Sequence, residues 1–194
     1  MSKNAEDCES TANKLTGEDL PMSRYESDIA KAAQHFVNDD IPNSTCDHAE
    51  IGIRYLFQNA HDKSTVRILA GDFFDDFWKT LDSDISNFIR EKGGRIEVIV
   101  TDTVGNYLKE IQALFADSVL VWEIAGKLKK FAKAIPHFVV IDPVGYRIEE
   151  SDSDKQGKIV TGVLNYGNKE QSNILRVTFD QIKTIATSKK ITPQ

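Results

Sequence analysis

Past the first two dozen residues, apolar positions recur at intervals that switch between the helical three-to-four and the extended two. Ser23 is a cap-forming residue ahead of Ile29, Ala33, Phe36 and Val37, and the spacing predicts a helix from Ser23 to about Val37. Asn38 to Ser44 has loop composition. A second helix is predicted over Ala49–Ala60, with Ile53, Leu56, Phe57 and Ala60 as its stripe. The period then shortens. Thr65–Ala70 is β-branched and ends in Gly71-Asp72, so a strand is predicted there. Phe74, Phe77, Trp78, Leu81, Ile85, Phe88 and Ile89 predict one long helix from Phe73 to Lys92, stopped by Gly93-Gly94.

The alternation continues to the end of the chain. Arg95–Asp102 and Val119–Ile124 are predicted strands, flanking a helix from Asn106 to Ala116 that carries Leu108, Ile111, Leu114 and Phe115. Residues 125–134 fit a short helix or a loop equally. His137–Asp142 is almost wholly apolar, the pattern of a strand buried on both faces. Tyr146–Glu149 and Ile159–Leu164 are two more predicted strands, joined by the polar loop Ser151–Gly157. Leu175, Phe179, Ile182 and Ile185 predict a closing helix over Ile174–Ala186. Strands alternating with helices imply an α/β layered sheet flanked by helices. The expected organisation is a flexible acidic tail over 1–22, a helical extension over 23–50, the α/β domain over 51–186 and a polar tail over 187–194.

Charge sharpens this division. Residues 1–50 hold 11 Asp/Glu against 4 Lys/Arg, whereas residues 51–194 hold 19 against 20. The acidity belongs to the front of the chain, and the body is near neutral. Its dense basic run is Lys127-Leu128-Lys129-Lys130-Phe131-Ala132-Lys133, read first as a solvated edge and second as a patch for phosphate. No stretch approaches the ~18 apolar residues of a membrane span. The polar N-terminus is followed by no apolar run of signal-peptide type, so a cytoplasmic location away from membranes is expected.

Few residues offer chemistry by themselves. Cys8 and Cys46 make no disulfide framework. Cys46-Asp47-His48 is too small a set for zinc, and neither CxxC nor HxxxH occurs, so no metal or cofactor is expected. Asp72, Asp75 and Asp76 read as carboxylates favouring the start of their own helix. Glu149–Asp154 lacks the Gly and terminal Glu of a calcium loop, and no Gly-x-Ser-x-Gly elbow is present. There is no Gly-rich loop between a strand and a helix to cradle a dinucleotide.

From Ile51 to Ala186 the order of elements resembles the phospholipase D superfamily. The resemblance rests on the helix Ile51–Ala60, on Val66–Asp72 running into a helix, on Gly94–Val100, and on Ile135-Pro136-His137-Phe138-Val139-Val140-Ile141-Asp142. The family signature is His-x-Lys, four apolar residues, then Asp. Anchored on Asp142, the lysine position is His137 and the histidine position is Ile135. In the family, the histidine attacks phosphorus and a second copy of the motif supplies the acid. Ile135 has no lone pair with which to attack. His137 stands two residues out of register, about 6.7 Å along a strand. The family's Gly-Ser-x-Asn is reduced to Gly162-Val163-Leu164-Asn165.

The resemblance therefore implies a layered phospholipase D-like fold without the family's catalytic residues, and a role as a ligand-sensing or protein-interaction module. His137, Asp142, Arg147 and Asn165 are the expected ligand contacts, with an anionic ligand in view. Lys129 and Lys130 are the candidates for nucleic acid. The alternatives are an active phosphodiesterase or nuclease with His137 as nucleophile, and a nucleic-acid-binding subunit. Because the family builds one cleft from two motif-bearing halves and this chain holds one, the resemblance also implies a symmetric homodimer with the Asp142 strand ends facing each other.

Overall fold

A seven-stranded sheet organises the chain. In this computed structural model the structure describes residues 21–73, 75–124, 129–130, 134–141, 143–149 and 162–186. The strands are β1 (Ile41–Asn43), β2 (Thr65–Asp72), β3 (Arg95–Thr103), β4 (Val119–Glu123), β5 (Phe138–Ile141), β6 (Gly145–Glu149) and β7 (Gly162–Asn165). Their spatial order is β1-β7-β6-β5-β2-β3-β4. β2, β3 and β4 run parallel. β5 lies antiparallel to β2, and β6, β7 and β1 continue the antiparallel half.

The helices are α1 (Met22–His35), α2 (Cys46–Asn59), α3 (Asp75–Lys79), α4 (Asp82–Lys92), α5 (Asn106–Leu114) and α6 (Lys169–Ile185). Side-chain alternation along the strands divides the core in two. Val66, Ile68 and Ala70 of β2, with Ile96, Val98 and Val100 of β3, face α1 to α5. Leu69, Ile99, Phe138, Val140 and Tyr146 face α6, which meets them with Leu175, Phe179 and Ile182. A polar seam reinforces this second layer: Lys183 Nζ lies 2.7 Å from Glu97 Oε1, and Arg67 Nε lies 3.4 Å from Asp180 Oδ1. The α/β layered architecture expected from the sequence is the one found.

Several boundaries differ from expectation for local physical reasons. Ile41–Asn43 is a strand rather than loop, paired antiparallel with β7. It sits at the sheet edge, where Pro42 removes no interior ladder bond. α2 begins at Cys46, since Thr45 caps it by accepting the His48 N–H at 3.1 Å. The expected division at residue 50 thus falls inside α2, and α1 joins the main core through Tyr25, Ile29 and Ala33.

The single helix expected over Phe73–Lys92 is two helices. Thr80 donates its hydroxyl to the Phe77 carbonyl at 2.7 Å, a local bond that competes with the helix ladder. Asp82 and Asp84 then occupy the first turn of a new helix, where carboxylates are favoured. α4 ends as expected at Gly93, whose φ of 60° is the left-handed conformation that Gly adopts readily.

Asp75 does not act on its own helix. Its two carboxylate oxygens accept the backbone N–H groups of Asn106 and Tyr107, each at 3.0 Å, and so cap α5 across the βα layer. The Asp75→Ala variant is expected to lose about 1 kcal/mol of stability, the usual worth of an N-cap. Urea unfolding checks this, and an unchanged midpoint would count against the cap. The expected strand segment 159–161, loop 151–157, tails 1–20 and 187–194 and Asp142 lie outside the described residues.

Candidate functional site

The carboxyl-terminal end of β2 and the start of β5 come together under α2 and α3, and a cavity of about 630 Å³ opens there. Ligands in open α/β sheets commonly sit at the carboxyl ends of parallel strands. The cavity floor is apolar and comes from Ile68 and Ala70 of β2 and Val139 of β5. α2 supplies one wall through Cys46, Ala49, Glu50 and Ile53, which share a face at helical spacing. Phe77 and Trp78 supply the opposite wall, and Trp78 is held by stacking on Phe73 at 4.5 Å.

His137, Glu149 and Arg147 form the polar end. The β5–β6 register pairs Phe138 with Ile148, and the Glu149 N–H donates to the His137 carbonyl at 2.8 Å. His137 and Glu149 are therefore cross-strand neighbours on the α2 side of the sheet. Glu149 Oε2 lies 3.2 Å from His137 Nδ1, and Arg147 Nη1 donates to Glu149 Oε1 at 2.5 Å. Arg147 is 2% exposed and also donates from Nη2 to Asn43 Oδ1 at 3.3 Å. Burial pushes the Glu149 carboxyl up. The hydrogen bond to His137 and the Arg147 charge together outweigh that and hold it below the usual carboxylate range.

The other side of the imidazole lies against Gly71. A methyl group on Gly71 would stand 2.8 Å from His137 Cε1 and 3.0 Å from Nε2, so a larger residue there would displace the ring. The same methyl would stand 3.7 Å from Asp102 Oδ2, and Asp102 Oδ1 pairs with Lys129 Nζ at 3.1 Å. His137 and Lys129 thus flank the same strand end. Lys130 is exposed.

Asn165 is not part of this site. Tyr146 pairs with Asn165 and Arg147 with Leu164, so strand alternation sends Arg147 and Asn165 to opposite faces. On the α6 side, Asn165 Nδ2 donates to Asp40 Oδ1 at 2.9 Å, and its Oδ1 accepts the N–H groups of Gly167 and Asn168. Its role is to hold the β7–α6 turn. The structure therefore brings His137 and Arg147 together on one face and places Asn165 on the other. Ile135, at the family's histidine position, packs against the α6-side core.

Behind Arg147 lies a buried polar layer. His48 is 3% exposed and stacks on Tyr25 at 3.9 Å between ring centres. Burial lowers the His48 pKa, opposed by a smaller pull from Asp47. The neutral ring is thus the folded form. Unfolding exposes a histidine of ordinary pKa near 6.5, so the unfolded chain takes up the proton first as pH falls. Stability is expected to hold above pH 6.5 and to decline as pH falls from there toward the lower folded value. The His48→Phe variant keeps a ring against Tyr25 and is expected to flatten this decline. Thermal melts between pH 5 and 8 check it, and parallel profiles for both proteins would refute it.

Sequence reasoning missed the cavity walls and Glu149. Glu149 read as the first residue of an acidic surface run, although its place two residues after Arg147 on a strand puts both on one face. Phe77 and Trp78 read as helix core. Among the described residues, no group of three or more His, Cys, Asp or Glu is placed to hold a metal ion, and no helix is long and apolar enough to cross a membrane.

No family profile matches the chain, and no curated protein matches it. Solved structures do. The archaeal chromatin protein TrmBL2, whose structure shows a novel mode of DNA binding, is 12% identical with a TM-score of 0.58. The match covers 84% of this chain and 60% of that one, so the chain spans less than two thirds of the chromatin protein's length. The phosphatidylserine synthase of Haemophilus influenzae is 14% identical over 80% of this chain and 42% of its own, with a TM-score of 0.47, an overlap too loose to argue from. At such identities the likeness to the chromatin protein is one of fold alone, a layered α/β sheet flanked by helices.

Proposed function

We propose that the chain is a phospholipase D-like domain without the family's covalent chemistry, and that it works by binding a small ligand in the cavity beside His137. It would then act as a ligand-sensing or protein-interaction module, with a cytoplasmic location expected. The observation that carries this reading is a cavity of about 630 Å³ with apolar walls, closed at one end by a buried Arg147 already neutralised by Glu149. Such a pocket, apolar with a few convergent polar groups, suits recognition. Ile135 leaves the family's nucleophile position chemically inert. Phosphodiesterase assays on nucleic acid and lipid substrates test it: no turnover is expected, and turnover lost in His137→Ala would overturn it.

A second reading has one observation in its favour. Glu149 at His137 Nδ1 orients the ring as a carboxylate does in a catalytic dyad, leaving Nε2 for chemistry. Trapping a phosphohistidine at His137 would decide for it. A nucleic-acid role through Lys129 and Lys130 predicts affinity falling steeply with salt. The DNA binding of the archaeal chromatin protein is a reason to include duplex DNA in that assay, and salt-insensitive or absent binding would remove this role.

The assembly proposed with this reading is a homodimer joined near Asp142, which would complete the half-cleft that one chain provides. Light scattering at micromolar concentration is expected to give about twice the 21.8 kDa monomer mass, and the monomer mass at every concentration would refute the dimer.

A further inference from the structure

The cavity carries charges opposite to those a phosphate requires. Among its described lining residues, Asp47, Glu50, Asp76 and Glu149 are carboxylates, against one guanidinium, Arg147, and one imidazole, His137. Arg147 is bound by Glu149 and Asn43, so it offers no unpaired positive charge. Glu50 is paired with Arg54, which is not among the lining residues. Asp47 of α2 and Asp76 of α3 are exposed lining residues, and neither makes an ion pair among the described residues. An anionic ligand would meet these carboxylates and no unpaired guanidinium or ammonium among the described lining residues.

The interior points to the rest of the ligand. Ile53, Ile68, Val139, Phe77 and Trp78 line a slot that suits a hydrocarbon or aromatic body. The partly exposed Phe77 ring of the lining can also attract a cation through its face. Among the lining residues, the Arg147 Nε hydrogen, in a side chain 2% exposed, has no hydrogen-bond partner. A buried donor left unpaired is unfavourable and marks the place for a neutral acceptor oxygen.

Resting on the binding role proposed above, we propose that the cavity takes an apolar amine: an organic cation whose ammonium sits between Asp47 and Asp76 and whose hydrophobic body fills the slot between α2 and α3. A neutral oxygen on that body would meet Arg147 Nε. This replaces the anionic ligand that the family resemblance suggests.

Three probes with one body separate the possibilities: 4-phenylbutylamine, 4-phenylbutanol and 4-phenylbutyrate. Binding is followed by Trp78 fluorescence in the full chain carrying Trp122→Phe, with calorimetry on the unaltered chain. The amine is expected to bind about ten-fold more tightly than the carboxylate, as two surface ion pairs would produce. In the Asp47→Asn/Asp76→Asn variant this preference is expected to vanish while the alcohol binds as before. These surface changes lie outside the core, and thermal melts confirm that the variant folds. Ile53→Trp is expected to fill the slot and abolish binding of all three. Equal binding of amine and carboxylate, or tighter binding of the carboxylate, overturns the amine proposal and leaves the binding role standing. Failure of all three probes in the unaltered chain overturns the amine proposal together with the cavity's binding role.

Discussion

Glu149→Gln is expected to lower global stability by about 3 kcal/mol, the low end of the cost of stranding a buried charge. The substitution keeps the shape and an acceptor oxygen but removes the negative charge facing Arg147, which is 2% exposed and cannot turn to water. The size follows from the asymmetry of buried pairs: making one gains little, whereas breaking one strands the other charge. An Arg147→Met/Glu149→Leu double variant is therefore expected to recover most of the loss. The pH dependence has a definite sign. Because the folded Glu149 pKa lies below its ordinary 4.5, its contribution is present above pH 4.5 and is lost as pH falls through the lower folded value. The gap between the unaltered protein and Glu149→Gln should accordingly close in acid. Urea titrations at pH 7 and pH 3.5 measure it. A loss under about 0.5 kcal/mol at pH 7 would show that Arg147 is compensated by other groups.

Phe179→Ala is expected to cost about 4 kcal/mol, typical of a large buried ring removed from a core. Phe179 has no exposed surface, and it joins Leu175 and Ile182 in covering Phe138, Val140, Leu69 and Ile99. Among the described residues, α6 supplies the helical side chains that cover this face. Domains of this kind have about 5–15 kcal/mol in all, so the loss is a large share. The exposed sheet face should then bind a hydrophobic dye, and amide exchange should accelerate in α6 before α2. A loss below about 1 kcal/mol with unchanged exchange in α6 would mean that the layer is held instead by the Glu97–Lys183 and Arg67–Asp180 seam.

The central strands, the closing helix and the layered α/β class were legible in the sequence. Each depends on near-neighbour geometry: period two at Val66-Ile68-Ala70, helical spacing at Leu175-Phe179-Ile182, and a left-handed stop at Gly93. His137 and Arg147 were reached through the family resemblance, His137 at the lysine position of its signature and Arg147 as an expected ligand contact. Their joint environment was not legible. The break at Thr80 turned on one hydroxyl bond that leaves the apolar stripe of Phe77, Leu81, Ile85 and Phe88 unchanged.

What the sequence by itself determined about this protein is the set of elements and the apolar face of each, because these follow from interactions within a few residues. Only the tertiary structure decided which elements meet and in what register. The β5–β6 register joined His137 to Glu149 across twelve residues, and the β6–β7 register sent Asn165 to the face opposite Arg147. Asp75 capped a helix thirty-one residues away. The physical reason is the same throughout: a one-residue slip in strand pairing moves every side chain to the other face, and no local pattern records that choice.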